Sequence, residues 1–139
     1  MGARRKAREC ALQLLYQWDS SGEDPAAVEA AYWKQMRASA PTKKFAHQLF
    51  TGTVAAAGEL DKLISEHSQN WRLERMPALD RNLLRLAAHE LQAYPETPPA
   101  VVINEALEIA HRYCGKESAE FLNGVLDAIR KTLEARPKV

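Results

Sequence analysis

Apolar positions recur every three to four residues along most of the chain, the spacing that gives an α-helix one buried face. Ala7, Cys10, Ala11, Leu14 and Trp18 share a stripe that predicts a first helix over residues 3–20, closed by Ser20-Ser21-Gly22. Asp24 then reads as an N-cap with Pro25 at the first helical position, and Val28, Ala31, Tyr32 and Met36 form the inner face of a second helix. Pro41-Thr42 restarts the chain, and a third helix carries Phe45, Leu49 and Ala56 with Ala46, Phe50 and Val54 beside them. The pattern continues through Leu60, Leu63, Ile64 and His67, with Gly58 the expected place for a kink or break.

Pro77 opens the next helix, with Leu79, Leu83, Leu86, Ala87 and Leu91 facing inward, and Pro95, Pro98 and Pro99 punctuate the loop after it. The one strand-like run, Ala100-Val101-Val102-Ile103, leads straight into the helical stripe of Leu107, Ala110 and Cys114 and is read as a helix start. Gly115 suits a helix C-cap. Ser118 is the expected cap of a last helix that buries Leu122, Val125, Leu126, Ile129 and Leu133, and the polar tail from Ala135 is expected to fray. The expectation is an all-α protein of about six or seven helices with short connections, packed as two helical subdomains. The weak point near Gly58 divides an N-terminal half, residues 1–58, from a C-terminal half, residues 59–139.

Composition narrows the function classes. Apolar residues make up 46% and charged residues 27%, ordinary for a globular chain of 139 residues. A net charge of +1 excludes a protein that is basic throughout, so a nucleic-acid site has to come from local clustering. Cys10 and Cys114 sit in apolar helical patterns and read as buried free thiols in a reducing, cytoplasmic setting. No apolar run approaches the ~20 residues of a membrane span, and Gln13 and Gln17 interrupt any signal-peptide core.

Catalytic constellations are missing from the sequence. There is no Gly-rich phosphate loop and no Gly-x-Ser-x-Gly. Glu108 and His111 have the spacing of a di-iron ligand pair, but such a bundle needs a second Glu-x-x-His, and none is present. His47, His67 and His89 are scattered. Neither an enzyme, a metal site nor a cofactor is expected.

The start of the chain is more informative. Arg4, Arg5, Lys6 and Arg8 place four cations within five residues, with no acid before Glu9. Cations at a helix N-terminus oppose the macrodipole, so helix stability alone does not explain them. Tyr16 follows Arg5 by eleven positions and projects within about 20° of it at roughly 100° per residue. An exposed tyrosine there is a stacking platform for unpaired bases; packing on a neighbouring helix beside Leu12 is the alternative that spacing leaves open. Phe121 sits at the edge of the last helix's apolar stripe.

Four blocks resemble the NusB transcription antitermination proteins. They are Ala3 to Trp18, Asp80 to Leu91, Val102 to Ala110 (Val-Ile-Asn-Glu-Ala-Leu-Glu-Ile-Ala) and Phe121 to Asp127 (Phe-Leu-Asn-Gly-Val-Leu-Asp). The resemblance spans nearly the whole chain in the family's order, while residues 22–42 carry no recognised motif. It implies a helical RNA-binding protein that engages the single-stranded boxA element of ribosomal RNA leaders. Its partner is a ribosomal small-subunit protein acting as NusE, within an RNA polymerase antitermination complex. Carried residue by residue, it assigns RNA contact to Arg4, Arg5, Lys6 and Arg8 and stacking to Tyr16 and Phe121, with Lys116, Glu117 and Ser118 beside them. It assigns the protein-partner face to Glu74 and Asp80, with Arg81 adjacent, and leaves Asn104 and Glu105 mainly structural. Two other readings stand beside it. One is a NusB-like module related to RNA cytosine methyltransferases, which this chain alone has no cofactor domain to complete; the other is a helical interaction scaffold.

Overall fold

The computed structural model describes residues 2–68 and 72–136. Among them lie seven α-helices and no strand: α1 (Ala3–Ser21), α2 (Pro25–Gln35), α3 (Ala40–Ala55), α4 (Ala57–His67), α5 (Ala78–Ala93), α6 (Pro99–Tyr113) and α7 (Lys116–Ala135). A single 3-10 turn, Leu73–Arg75, precedes α5. Residues 137–139 of the polar tail lie outside the described residues.

The helix ends follow local chemistry. Gly22 takes a left-handed φ of 69° and donates its N–H to the Trp18 carbonyl, closing α1. Asp24 occupies the N-cap position of α2 before Pro25, but its side chain makes no capping bond. Ser39 caps α3, its hydroxyl accepting from the Thr42 N–H, so α3 begins one residue before Pro41. The break between α3 and α4 falls at Ala56, two residues earlier than the expected position at Gly58. Ala56 N–H still bonds to Gly52 and its carbonyl accepts from Leu60, so the chain bends without a loop, and Gly58 lies in the first turn of α4. The Ser118 cap is also corrected. α7 starts at Lys116 after Gly115, whose φ of 100° favours glycine, and the Ser118 hydroxyl donates instead to Asp80.

α5 is the hub, packing against α1, α3, α4, α6 and α7. One apolar cluster draws buried side chains from all seven helices, including Phe50, Leu83, Leu84, Leu122 and Ile129. The arc buried on α1 is wider than one stripe, because Leu12 and Leu15 join Ala7, Cys10, Ala11 and Leu14. That width carries Arg8 and Glu9 into the interior, where their charges need partners.

Candidate nucleic-acid interface

The four cations at the start of α1 have separate fates. Arg4 is exposed, its guanidinium lying 4.6 Å from the centre of the Phe45 ring. Lys6 is exposed and makes no ion pair among the described residues. Arg5 is half-buried: its Nε donates to Glu105 Oε1 at 2.9 Å and its Nη2 to Oε2 at 2.6 Å. Those bonds hold the Glu105 carboxyl below its ordinary range and raise Arg5 above its own.

Arg8 corrects the expectation most directly. Its side chain is 6% exposed and makes a bidentate pair with Glu90 at 2.9 and 2.6 Å, with Glu105 a further 3.5 Å away. A phosphate would have to displace a buried carboxylate to reach it, which leaves Glu90 uncompensated. Arg8 is therefore a structural residue that ties α1 to α5.

Tyr16 points outward. The residue is 42% exposed, while Leu12, one turn earlier, is buried. Helical direction alone does not fix exposure, and here the neighbouring helices leave the ring open. The same helix thus offers Arg4, Lys6 and Tyr16 to solvent, while Arg5 is held by Glu105.

A second feature lies at the starts of α5 and α7. A cleft of about 300 Å³ is lined by Met76, Pro77, Asp80, Glu117, Ser118 and Phe121. It brings together residues assigned from sequence to RNA (Glu117, Ser118, Phe121) and to a protein partner (Asp80). Lys116 is exposed beside it and Glu74 is exposed on the 3-10 turn. Asp80 itself is 6% exposed and accepts from Ser118 at 2.6 Å, so it braces the cleft wall. The Cys114 thiol lies against it, pushed up to about 12 by burial and by the Asp80 charge.

Arg81 also turns inward, correcting its expected place on the partner face. It donates to Asp19 Oδ2 through Nε at 2.9 Å and Nη2 at 2.7 Å, and through Nη1 to the carbonyls of Leu73 and Met76. This clamps the 3-10 turn that carries Glu74 and forms the Met76 wall of the cleft. Burial works against the Asp19 charge, but bonds from Arg81 and Asn82 outweigh it and hold the carboxyl below its ordinary value. Asp19, Glu90 and Glu105 are members of the site that sequence reasoning missed or read only as structural. Their partners lie 62, 82 and 100 residues away, beyond any local spacing rule.

Glu108 and His111 are both exposed, and among the described residues no group of three or more His, Cys, Asp or Glu side chains is placed to hold a metal ion. No helix among the described residues is long and apolar enough to cross a membrane.

A model of the NusB family matches residues 5–131. The transcription antitermination protein NusB of Koribacter versatilis is 45% identical over 138 residues, covering 99% of this chain and 94% of its own length. That of Sorangium cellulosum is 42% identical over 133 residues, covering 96% of this chain and 95% of its own. Among solved structures, NusB of T. maritima superposes with a TM-score of 0.83 at 34% identity, over 92% of this chain and 90% of that one. A chain from the complex of antitermination factors NusB and NusE with double-stranded RNA superposes at 0.81 and 30% identity, over 95% and 98% of the two chains.

Proposed function

This chain belongs to the NusB family, and on that premise we propose that it is a transcription antitermination factor that binds RNA together with NusE. The RNA is boxA-type and single-stranded, from the leaders of ribosomal RNA operons, and the protein–RNA–NusE unit joins RNA polymerase in an antitermination complex. The protein catalyses nothing, takes no cofactor and works in the cytoplasm.

The observation that carries the reading is the exposed Tyr16 ring on the helix that also presents Arg4 and Lys6. Unpaired bases are held by stacking on aromatic faces while cations track the backbone. Phe121 and Lys116 serve the same strand at the cleft, and Arg5 joins when a phosphate displaces Glu105. Glu117 is a carboxylate beside that path and limits affinity by repelling phosphate. Glu74 faces NusE, because an exposed carboxylate complements a basic ribosomal protein. Asp80 and Arg81 support that face from inside.

Single-stranded and duplex boxA RNA titrated against the protein, with and without NusE, test the proposal. The expected result is preference for the single strand, tighter binding with NusE, and a log–log salt slope of about −0.7 per phosphate contact. No complex at low salt overturns it; equal binding of both RNA forms removes the stacking component. Double-stranded RNA in the NusB–NusE complex structure makes that second arm informative.

A further inference from the structure

We propose that Tyr113 is a further base-stacking platform, and that the bound strand crosses the last turn of α6 between the start of α1 and the cleft at α7. The inference rests on the RNA-binding reading and extends it to a residue that the reading does not use.

Tyr16, Val101 and Tyr113 are the exposed large apolar residues among the described residues, and Tyr113 is 45% exposed. A lone exposed tyrosine is unremarkable in itself. Its place in the fold is what matters. On one side, Arg112 donates to Glu9 of α1 at 2.7 Å. On the other, the Cys114 thiol lies against Asp80 of α5, which also holds Ser118 of α7. The backbone of Tyr113 is thus fixed from both directions while its ring stands in solvent. A platform ordered in advance loses little entropy when a base arrives.

Register puts this ring on the strand's route. Arg5 pairs with Glu105 and Glu9 with Arg112, so two ion pairs in the same order along both helices tie the start of α1 to α6. Tyr113 directly follows Arg112, the residue that the Glu9 pair holds to α1. Tyr32, whose hydroxyl donates to Gln13 in that turn, is within electrostatic range of Tyr113. Tyr16 is one turn further on. From Arg5 to Tyr16 the helix rises about 16 Å, and the Glu9–Arg112 pair brings the end of α6 to this span.

Charge decides what sits there. The carbonyls at the C-terminus of α6 present partial negative charge, which disfavours phosphate. A base ring, being neutral, escapes that repulsion and gains the tyrosine face. Phosphates are better served on either side, at Arg4 and Lys6 or at Lys116.

The test measures binding of single-stranded boxA RNA to the protein with NusE, for wild type, Tyr113→Phe, Tyr113→Leu and Tyr16→Leu. 2-Aminopurine is placed in turn at each position of the strand. The expected result is that Tyr113→Leu weakens binding about fivefold to tenfold, that Tyr113→Phe binds like wild type, and that one 2-aminopurine position loses its quenching in Tyr113→Leu but keeps it in Tyr16→Leu. Wild type that binds RNA, with no position responding to Tyr113→Leu, overturns this inference alone. Wild type that binds no RNA overturns the inference and the function together. Because Tyr113 is exposed, Tyr113→Leu is expected to melt with wild type; should it not, equal quenching in wild type and Tyr113→Phe at a position unaffected by Tyr16→Leu still supports the platform, and its absence overturns it.

Discussion

Arg4 and Arg8 lie one turn apart on α1, yet opposite physics governs them. Arg8 is buried against Glu90, with Glu105 held separately by Arg5, so Arg8→Ala strands the Glu90 carboxylate. A loss of about 3–5 kcal/mol in folding stability is expected, measured by urea unfolding. Arg4→Ala removes an exposed cation and one cation–π contact with Phe45, so its stability cost is expected to stay below about 1 kcal/mol. Its effect belongs to RNA affinity and to the salt slope, which is expected to fall by about 0.7. Equal effects of the two substitutions on stability would contradict the division made here.

Carboxylates paired with arginines elsewhere in the fold set the acid response. Glu105 and Asp19 are held below their ordinary values by hydrogen bonds from arginine. A depressed carboxyl contributes stability that is fully present above its unfolded pKa and lost as pH falls through its folded pKa. Stability is therefore expected to be level near neutrality and to decline from about pH 5 downward. Glu105→Gln is expected to flatten part of that decline in urea midpoints taken across the range; an unchanged slope would remove Glu105 from the account.

At the scale of elements, the helices were legible because a 3.6-residue period survives without knowledge of neighbours. The stripe Leu83, Leu86, Ala87 in α5 and the stripe Leu122, Val125, Leu126, Ile129 in α7 are buried as the spacing requires. Tyr16 was legible in direction only, since its exposure depends on which helices stop short of it. Arg8 was not legible: its burial follows from the width of the arc covered on α1, and its partners sit on α5 and α6. The break at Ala56 rather than Gly58 was not legible: Gly58 adopts ordinary helical backbone, and the bonds from Ala56 to Gly52 and from Leu60 to Ala56 carry the chain across the break.

Two glycines inside helices separate packing from propensity. A Cβ at Gly52 would come within 2.8 Å of His89 Cε1, with the ring's Nε2 closer still, so α3 and α5 approach each other there. Gly52→Ala is expected to cost about 1–3 kcal/mol as the half-buried His89 is displaced. A Cβ at Gly124 of α7 meets nothing within 4 Å, and Gly124→Ala is expected to add about 0.5–1 kcal/mol. Thermal melts of the two variants check the pair: the melting temperature falls for the first and rises for the second.

At the scale of the molecule, the net charge of +1 conceals an arrangement. Buried pairs between α1, α5 and α6 consume part of the basic cluster and lock the helices together. What remains outside is a strip of cations and rings from the start of α1, past the end of α6, to the cleft between α5 and α7. The measurement that bears most directly on this strip is boxA RNA affinity of wild type and of the Arg4→Ala/Lys6→Ala/Tyr16→Ala variant, each with NusE across salt concentrations. The variant is expected to keep the wild-type fold, bind at least about tenfold more weakly and show a shallower salt slope. A folded variant that binds RNA as tightly as wild type, with the same slope, would contradict the account.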